Sequence, residues 1–191
     1  MMKQAIIALK MILLMTLLTG VVYTIAVTQI SHLLFREKAN GSLVYRNGQI
    51  IGSKLMGQDF SDAGYFWPRP SSTGYNPYPS GGSNLGPTSD KLKKLVIERA
   101  MKFSRDNLLS SNTPVPGEML FSSASGLDPY ISPEAALLQV ERIARVRGFS
   151  ATKKEDLCSK IRLVTTYPQF LILGEPRVNV FLLNLELDSM R

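Results

Sequence analysis

Cysteine and histidine are nearly absent: the 191 residues contain one of each, Cys158 and His32. A lone cysteine excludes an intrachain disulfide framework and a multi-cysteine zinc site. With Leu157 before it and Ile161 three residues on, Cys158 reads as a small core hydrophobe. One histidine leaves no basis for a histidine-dependent triad or a zinc protease, because only imidazole both titrates and ligates near neutral pH. No Gly-x-x-x-x-Gly-Lys phosphate loop and no Gly-x-Ser-x-Gly elbow occurs. A dense run of one charge sign is missing too, although the formal charge is +7. The richest cluster, Lys91, Lys93, Lys94, Arg99, Lys102 and Arg105, is interrupted by Asp90, Glu98 and Asp106. It reads as a solvated helix face, so nucleic acid is not an implied partner.

One long apolar run is present. Met11 to Ile30 is free of charge and rich in Leu, Ile, Val and Met, and as a helix it would rise roughly 30 Å, enough to cross a hydrocarbon core. Lys3 and Lys10 precede it; His32, Arg36 and Lys38 follow, as expected of side chains reaching toward lipid headgroups and implying contact with membrane lipid. Gly20 and the threonines Thr16, Thr19, Thr24 and Thr28 would let a second helix pack closely. A cleaved signal peptide ending at Thr24-Ile25-Ala26 is the rival reading. Apolar character continues through Val27, Ile30, Leu33, Leu34 and Phe35, which favours a retained anchor. The length then allows one ordinary domain, so residues 1–35 are expected as the anchor segment and 36–191 as the soluble part.

Leu43-Val44-Tyr45 and Gln49-Ile50-Ile51 flank Asn47-Gly48, the signature of a type I′ hairpin. Phe66 to Thr88 has no period and is crowded with Pro, Gly, Ser and Asn, but its aromatics Phe66, Trp67, Tyr75 and Tyr78 favour an ordered loop over disorder. Thr88 or Ser89 can cap a helix to about Arg105 striped by Leu92, Leu95, Val96, Ala100 and Phe103. Ser132, Pro133 and Gly148 punctuate a second helix, with Leu137, Val140, Ile143 and Ala144 on one face. Thr152 to Glu155 matches a capping box opening a third helix to about Ile161. Phe170 to Leu173 and Val178 to Leu187 read as two closing strands, the latter by the alternation of Phe181, Leu183, Leu185 and Leu187. The expected fold is an α+β soluble domain on a single N-terminal transmembrane helix. Asp128 and Glu134 stand beside Ser and Pro, where caps and turns explain them.

Several segments occur in an order that is specific as a set: Gly52-Ser53-x-Leu55-x-Gly57-Gln58-x-Phe60, Tyr65-Phe66-x-x-Arg69-Pro70-Ser71, Tyr75-Asn76, Ser80-Gly81-Gly82-Ser83-Asn84-Leu85, Ser125-Gly126-Leu127-Asp128-Pro129-x-Ile131-Ser132-Pro133 and Gly174-Glu175-Pro176-Arg177-Val178-Asn179-Val180. Together they resemble the KdpC family, from the anchor to Asn184-Leu185-x-Leu187-Asp188. The sequence departs from the family's pattern at Phe121-Ser122 and at Tyr130. The resemblance implies an accessory subunit of an ATP-driven potassium pump, whose partners are a potassium-channel-like subunit and an ATP-hydrolysing subunit. The phosphorylated Asp-Lys-Thr-Gly motif of such pumps is missing, since Asp90-Lys91 continues into Leu92. No firmly bound cofactor is implied, and ATP enters only through the catalytic subunit. The resemblance suggests a raised ATP affinity through a glutamine, which falls on Gln139; as structure alone, Gln139 is a polar residue on an amphipathic helix. Subunit-contact candidates are Arg69, Ser71, Tyr75, Asn76, Gly81, Gly82, Asn84, Ser125 and Asp128.

Two other readings stay open: a membrane-tethered extracytoplasmic serine hydrolase using Ser125 or Ser83 with a lysine base, and a secreted binding protein. Counting Lys3, Lys10 and the terminal amine against Arg36, Lys38, Arg46 and Lys54 leans toward a cytoplasmic domain. The short N-terminal tail before a signal-like run points the other way. The expectation is a single-pass protein of the cell (inner) membrane with its domain outside, Ser53 lying in an exposed turn.

Overall fold

The computed structural model describes residues 2–170 and 172–190. The chain divides into two compact units, Met1–Ser53 and Lys54–Arg191.

The first unit opens with a continuous helix, Met2–Leu34, of 33 residues. It runs as α1 (Met2–Met15), a π-helical stretch (Thr16–Tyr23) and α2 (Thr24–Leu34). The expected span Met11 to Ile30 lies inside it. None of its apolar window is buried, which is the condition of a helix whose covering is lipid or another subunit. In the π stretch the Thr19 hydroxyl donates to the Met15 carbonyl at 2.7 Å and that of Thr24 to the Thr19 carbonyl at 3.2 Å. Both hydroxyls thereby satisfy themselves on the helix backbone. A short α3 (Arg36–Ala39) leads to the hairpin β1 (Leu43–Arg46) and β2 (Gln49–Ser53). Asn47 at φ 52° and Gly48 at φ 79° make the expected turn, and Arg46 pairs with Gln49 across it. Ser53 is buried, not exposed: its hydroxyl donates to the Gly41 carbonyl at 2.7 Å and ties the end of β2 to the residues before β1.

The second unit is mainly helical and carries one two-stranded sheet. Ser89 caps α4 (Asp90–Asp106), accepting from Leu92 N. A 3₁₀ turn (Gly117–Met119) precedes β3 (Tyr130–Ile131), which pairs antiparallel with β4 (Val178–Asn179). The helix expected from Ser132 to Gly148 is divided into α5 (Pro133–Leu137) and α6 (Val140–Arg147). Its punctuation is as read: Ser132 accepts from Ala135 N, Pro133 occupies the first turn, and Gly148 is left-handed at φ 66°. The division is a tightened turn at Leu138-Gln139, where Gln139 N donates to the Ala136 carbonyl. Leu137 is exposed there, while Ala135, Ala136 and Gln139 are buried. In α7 (Ala151–Val164) the cap is Ser150, accepting from Lys153 N, and not Thr152; the hydroxyl two residues earlier stands on extended backbone, where a cap must be.

Among the described residues the two closing strands are not found as read. Of the expected strand Phe170 to Leu173, Leu171 lies outside the described residues and the rest shows a Gln169–Leu173 bridge, while β4 stops after Asn179. Asn179 then caps α8 (Val180–Ser189), accepting from Leu182 N. The alternating leucines misled because Leu183 and Leu187 also stand four apart. With Val180 and Asn184 they form one buried helical face, and leucine favours helix. The core gathers Phe66, Ile131, Ile143, Leu157, Ile161, Leu183 and Leu187. Cys158 is partly buried against it.

Candidate functional site

Two irregular segments, Arg69 to Asn84 and Ser123 to Asp128, carry most of the sequence-predicted contact residues, and the fold lays one on the other. Arg69 Nη1 meets Asp128 Oδ2 at 2.7 Å. Asp128 Oδ1 accepts from Tyr130 N at 3.0 Å, so the carboxylate also fixes the entry to β3. The Ser71 hydroxyl donates to the Gly126 carbonyl at 2.7 Å and accepts from Tyr75 N at 2.9 Å. Gly81 N donates to the Ser125 carbonyl at 3.0 Å, and the Ser72 hydroxyl donates to the Gly81 carbonyl at 2.6 Å. Gly126 is required by shape: at φ +71°, a Cβ would lie 2.7 Å from Thr73 Oγ1 and 3.0 Å from the Gly81 carbonyl oxygen. Gly82 backs onto the Ala124 carbonyl in the same way, 3.2 Å from a Cβ.

Asn76 and Asn84 are exposed. Asn76 accepts from Tyr78 N at 3.0 Å, a local turn, and Asn84 has φ 52°. Ser125 is exposed and accepts from Leu127 N at 3.1 Å, which shapes the loop rather than preparing a nucleophile. Arg69 further lines a polar depression of about 300 Å³ with Asp128, Tyr130, Glu175 and Arg177. Three distant motif segments therefore converge there. Among the described residues, Arg69 Nε is buried without a hydrogen-bond acceptor.

Tyr75 holds the loop from within. Its hydroxyl donates to the Arg69 carbonyl at 2.6 Å, and its ring walls a cleft of about 210 Å³ with Trp67, Arg99, Phe103 and Met119. Burial, reinforced by the Asp59 carboxylate and partly offset by Arg99, raises its ionisation far above the ordinary tyrosine value, so the phenol stays neutral.

The start of the loop is clamped by two buried amides. Asn184 accepts from Phe66 N at 2.8 Å and donates to the Phe66 carbonyl at 3.0 Å. Gln139 does the same one residue on, accepting from Trp67 N at 2.7 Å and donating to the Trp67 carbonyl at 3.2 Å. Each side chain thus imitates a neighbouring strand. Gln139 is fully buried; its amide nitrogen also donates to the Ala135 carbonyl at 3.2 Å, and its oxygen accepts from Arg142 Nη2 at 2.8 Å. Both polar atoms are engaged within the chain, and the side chain lies on the core face of the helix.

Arg142, 1% exposed, is the centre of this network. It donates to Asn107 Oδ1 at 2.9 Å, to the Tyr65 carbonyl at 2.9 Å and to the Ala63 carbonyl. Its guanidinium stacks 3.8 Å from the centre of the Trp67 ring. Burial lowers its pKa to about 10, an effect opposed by Asp106 and Asp62; it remains cationic at neutral pH. Arg147 repeats the pattern outside, bonding the Gly64 carbonyl at 2.7 Å and Asp188 at 3.1 Å while lying over the Tyr65 ring. Arg142, Asn107 and Asn184 were not singled out from the sequence. The sequence offered little signal for Arg142, whose helix neighbours three residues away are Gln139 and Arg145; its burial demands the partners the fold supplies.

Comparison with known proteins follows the same residues. The family model described as KdpC, K+-transporting ATPase, c chain, matches residues 5–189. A protein of Methylococcus capsulatus called potassium-transporting ATPase KdpC subunit is 46% identical over 187 residues, covering 96% of both chains. One of Geobacter metallireducens with the same name is 47% identical over 187 residues, 96% of each. One of Mycobacterium tuberculosis, also so named, is 45% identical over 190 residues, covering 98% of this chain and 99% of its own.

Proposed function

The chain belongs to the KdpC family, a subunit of the K+-transporting ATPase, and from that premise we propose that it is the non-catalytic accessory subunit that holds the pump's larger subunits together. The observation that carries this reading is the docked pair of loops. Arg69, Ser71, Tyr75, Gly81, Gly126 and Asp128 spend their chemistry on one another and build a rigid surface. Exposed Asn76 and Asn84 lie along it, and the polar depression beside Arg69 is suited to accept a side chain from a partner. Rigid loops on a packed scaffold are where recognition concentrates.

In this reading the helix Met2–Leu34 is the anchor in the cell (inner) membrane and the second unit lies outside, docked on the potassium-conducting subunit. Any rise in ATP affinity is then transmitted through the assembly, since both polar atoms of Gln139 are engaged by Trp67, Ala135 and Arg142.

Two measurements test the proposal. The tagged full chain should leave the membrane in mild detergent together with two larger membrane proteins, and Arg69→Ala with Asn84→Ala should weaken that recovery. Emergence of the unmodified chain alone would overturn the assembly role. For sidedness, Cys158→Ser is combined with Ser111→Cys at an exposed position. Labelling of intact cells by a membrane-impermeant maleimide is expected; labelling only after the membrane is broken would reverse the orientation.

A further inference from the structure

At Phe35 the first unit turns aside. The backbone there leaves the helical region, at φ −133° and ψ 45°, and separates α2 from α3. Gly41 at φ 80° and Ser42 at φ 47° then fold the chain back into β1. Ser42 N donates to the Glu37 carbonyl at 2.9 Å and Gly41 N to the Lys38 carbonyl at 3.1 Å, while Ser53 ties β2 to the same turn. Helix α3 and the hairpin are thus held as one piece. Between them lies a cleft of about 410 Å³ lined by Arg36, Glu37, Asn40, Leu43 and Tyr45. Tyr45 pairs across the hairpin with Ile50, and the two are 61% and 59% exposed. Among the described residues the Arg36 guanidinium has no hydrogen-bond or ion-pair partner.

We propose that this cleft seats the headgroup of a bilayer phospholipid, with its phosphate on the Arg36 guanidinium and its glycerol end against Leu43, Tyr45 and Ile50. The membrane helix identifies the occupant, because it continues directly into the cleft. Met11 to Ile30 already spans the roughly 30 Å of a hydrocarbon core, with Lys10 bounding it at the other end. Leu33, Leu34 and Phe35, all exposed, therefore fall in the boundary layer, and Arg36 follows at the level of the phosphates. Leu43 and Tyr45 return beside Arg36 in the lining of the cleft, so the hairpin face meets the bilayer at that same level. A guanidinium forks onto phosphate oxygens, and a tyrosine with aliphatic neighbours is what this layer collects. Glu37 also lines the cleft, so a headgroup whose amine balances its phosphate suits it better than a free anion. The inference rests on the helix Met2–Leu34 spanning the membrane and not on the assembly role, and it adds to that span a collar that fixes its depth.

The test uses the full chain reconstituted in vesicles of phosphatidylethanolamine and phosphatidylglycerol, in a Cys158→Ser background. A fluorophore is placed at Ile50→Cys, at Ser111→Cys as the exposed reference, or at Val22→Cys within the membrane helix. Lipids carrying a headgroup nitroxide should quench the label at 50 several-fold more than that at 111. Arg36→Gln with Tyr45→Ser, both changes of exposed side chains, should bring the two labels level, whereas excess inorganic phosphate should leave the difference intact. Equal quenching at 50 and 111 in the parent would overturn the inference. So would a difference that survives the double substitution, or one that inorganic phosphate abolishes. Shielding of position 50 that appears only in the complete pump, without lipid quenching, would overturn it too and assign the cleft to another subunit. The label at 22 should be quenched by nitroxides on the acyl chain, and its failure to be quenched would refute the span on which the inference stands.

Discussion

Replacing Arg142 by Met keeps most of the stem's volume and removes only the guanidinium. Four hydrogen bonds are lost, to Asn107, Gln139 and the Tyr65 and Ala63 carbonyls, together with the stack on Trp67. Gln139 Oε1 keeps its bond from Trp67 N. The buried acceptor Asn107 Oδ1 and the partly buried Tyr65 and Ala63 carbonyls therefore lose this donor, at a cost of up to about 1–3 kcal/mol each. Releasing the cation's own desolvation penalty returns several kcal/mol, leaving a net loss of about 2–4 kcal/mol by these magnitudes. For a unit of this size, 1 kcal/mol moves the melting temperature by about 3–5 °C, so a fall of about 10 °C is expected. The assay is thermal unfolding of the detergent-solubilised full chain followed by fluorescence. Trp67 is the sole tryptophan and lies against the altered group, so its emission should also change before any melting. A melting temperature within about 2 °C of the parent, a shift below 1 kcal/mol, with unchanged emission, would refute the role given to this network.

Gly126→Ala should cost about 1–3 kcal/mol through its left-handed backbone and the Thr73 and Gly81 contacts, and reduce recovery of the partner subunits; a neutral result would mean the loops are not docked as described. Arg69→Ala breaks an ion pair whose side chains are still 26% and 28% exposed, so it should cost about 1 kcal/mol in stability while impairing potassium-limited growth. Loss of growth matched by a large drop in melting temperature would make it a folding effect. Tyr75 has a raised folded pKa, so above pH 10, the ordinary tyrosine value, the unfolded chain releases a proton that the folded one keeps. Stability should fall there as pH rises, and Tyr75→Phe should flatten that fall in alkaline melting curves; an unchanged slope would place the phenol in water. Ser150→Ala should destabilise α7 by about 1 kcal/mol, measured by the same melting curves, whereas Thr152→Ala should do little.

Local punctuation was readable where one residue performs one task. Asn47-Gly48 made its hairpin, Ser89 and Ser132 capped their helices, and Gly148 ended α6. Reading failed where two periods coincide, as in Val180 to Ser189, and where a nearer hydroxyl competes, as with Ser150 and Thr152. The loop residues were identified individually, yet no spacing revealed that Ser71 meets Gly126 or that Arg69 meets Asp128, since those pairings are made by the core. The least legible part was the amide network. Gln139 reads as a polar residue on an amphipathic helix, and its spacing alone does not reveal that its amide pairs with the Trp67 backbone and Arg142.

The bond between Asn184 and Phe66 joins positions 118 residues apart. Because Asn184 sits in α8, Phe66 cannot be clamped until that helix has followed it out of the ribosome. The loop that packs on Ser123 to Asp128 begins beside that same residue, so a polypeptide released before α8 would carry the helix Met2–Leu34 complete and that loop unclamped.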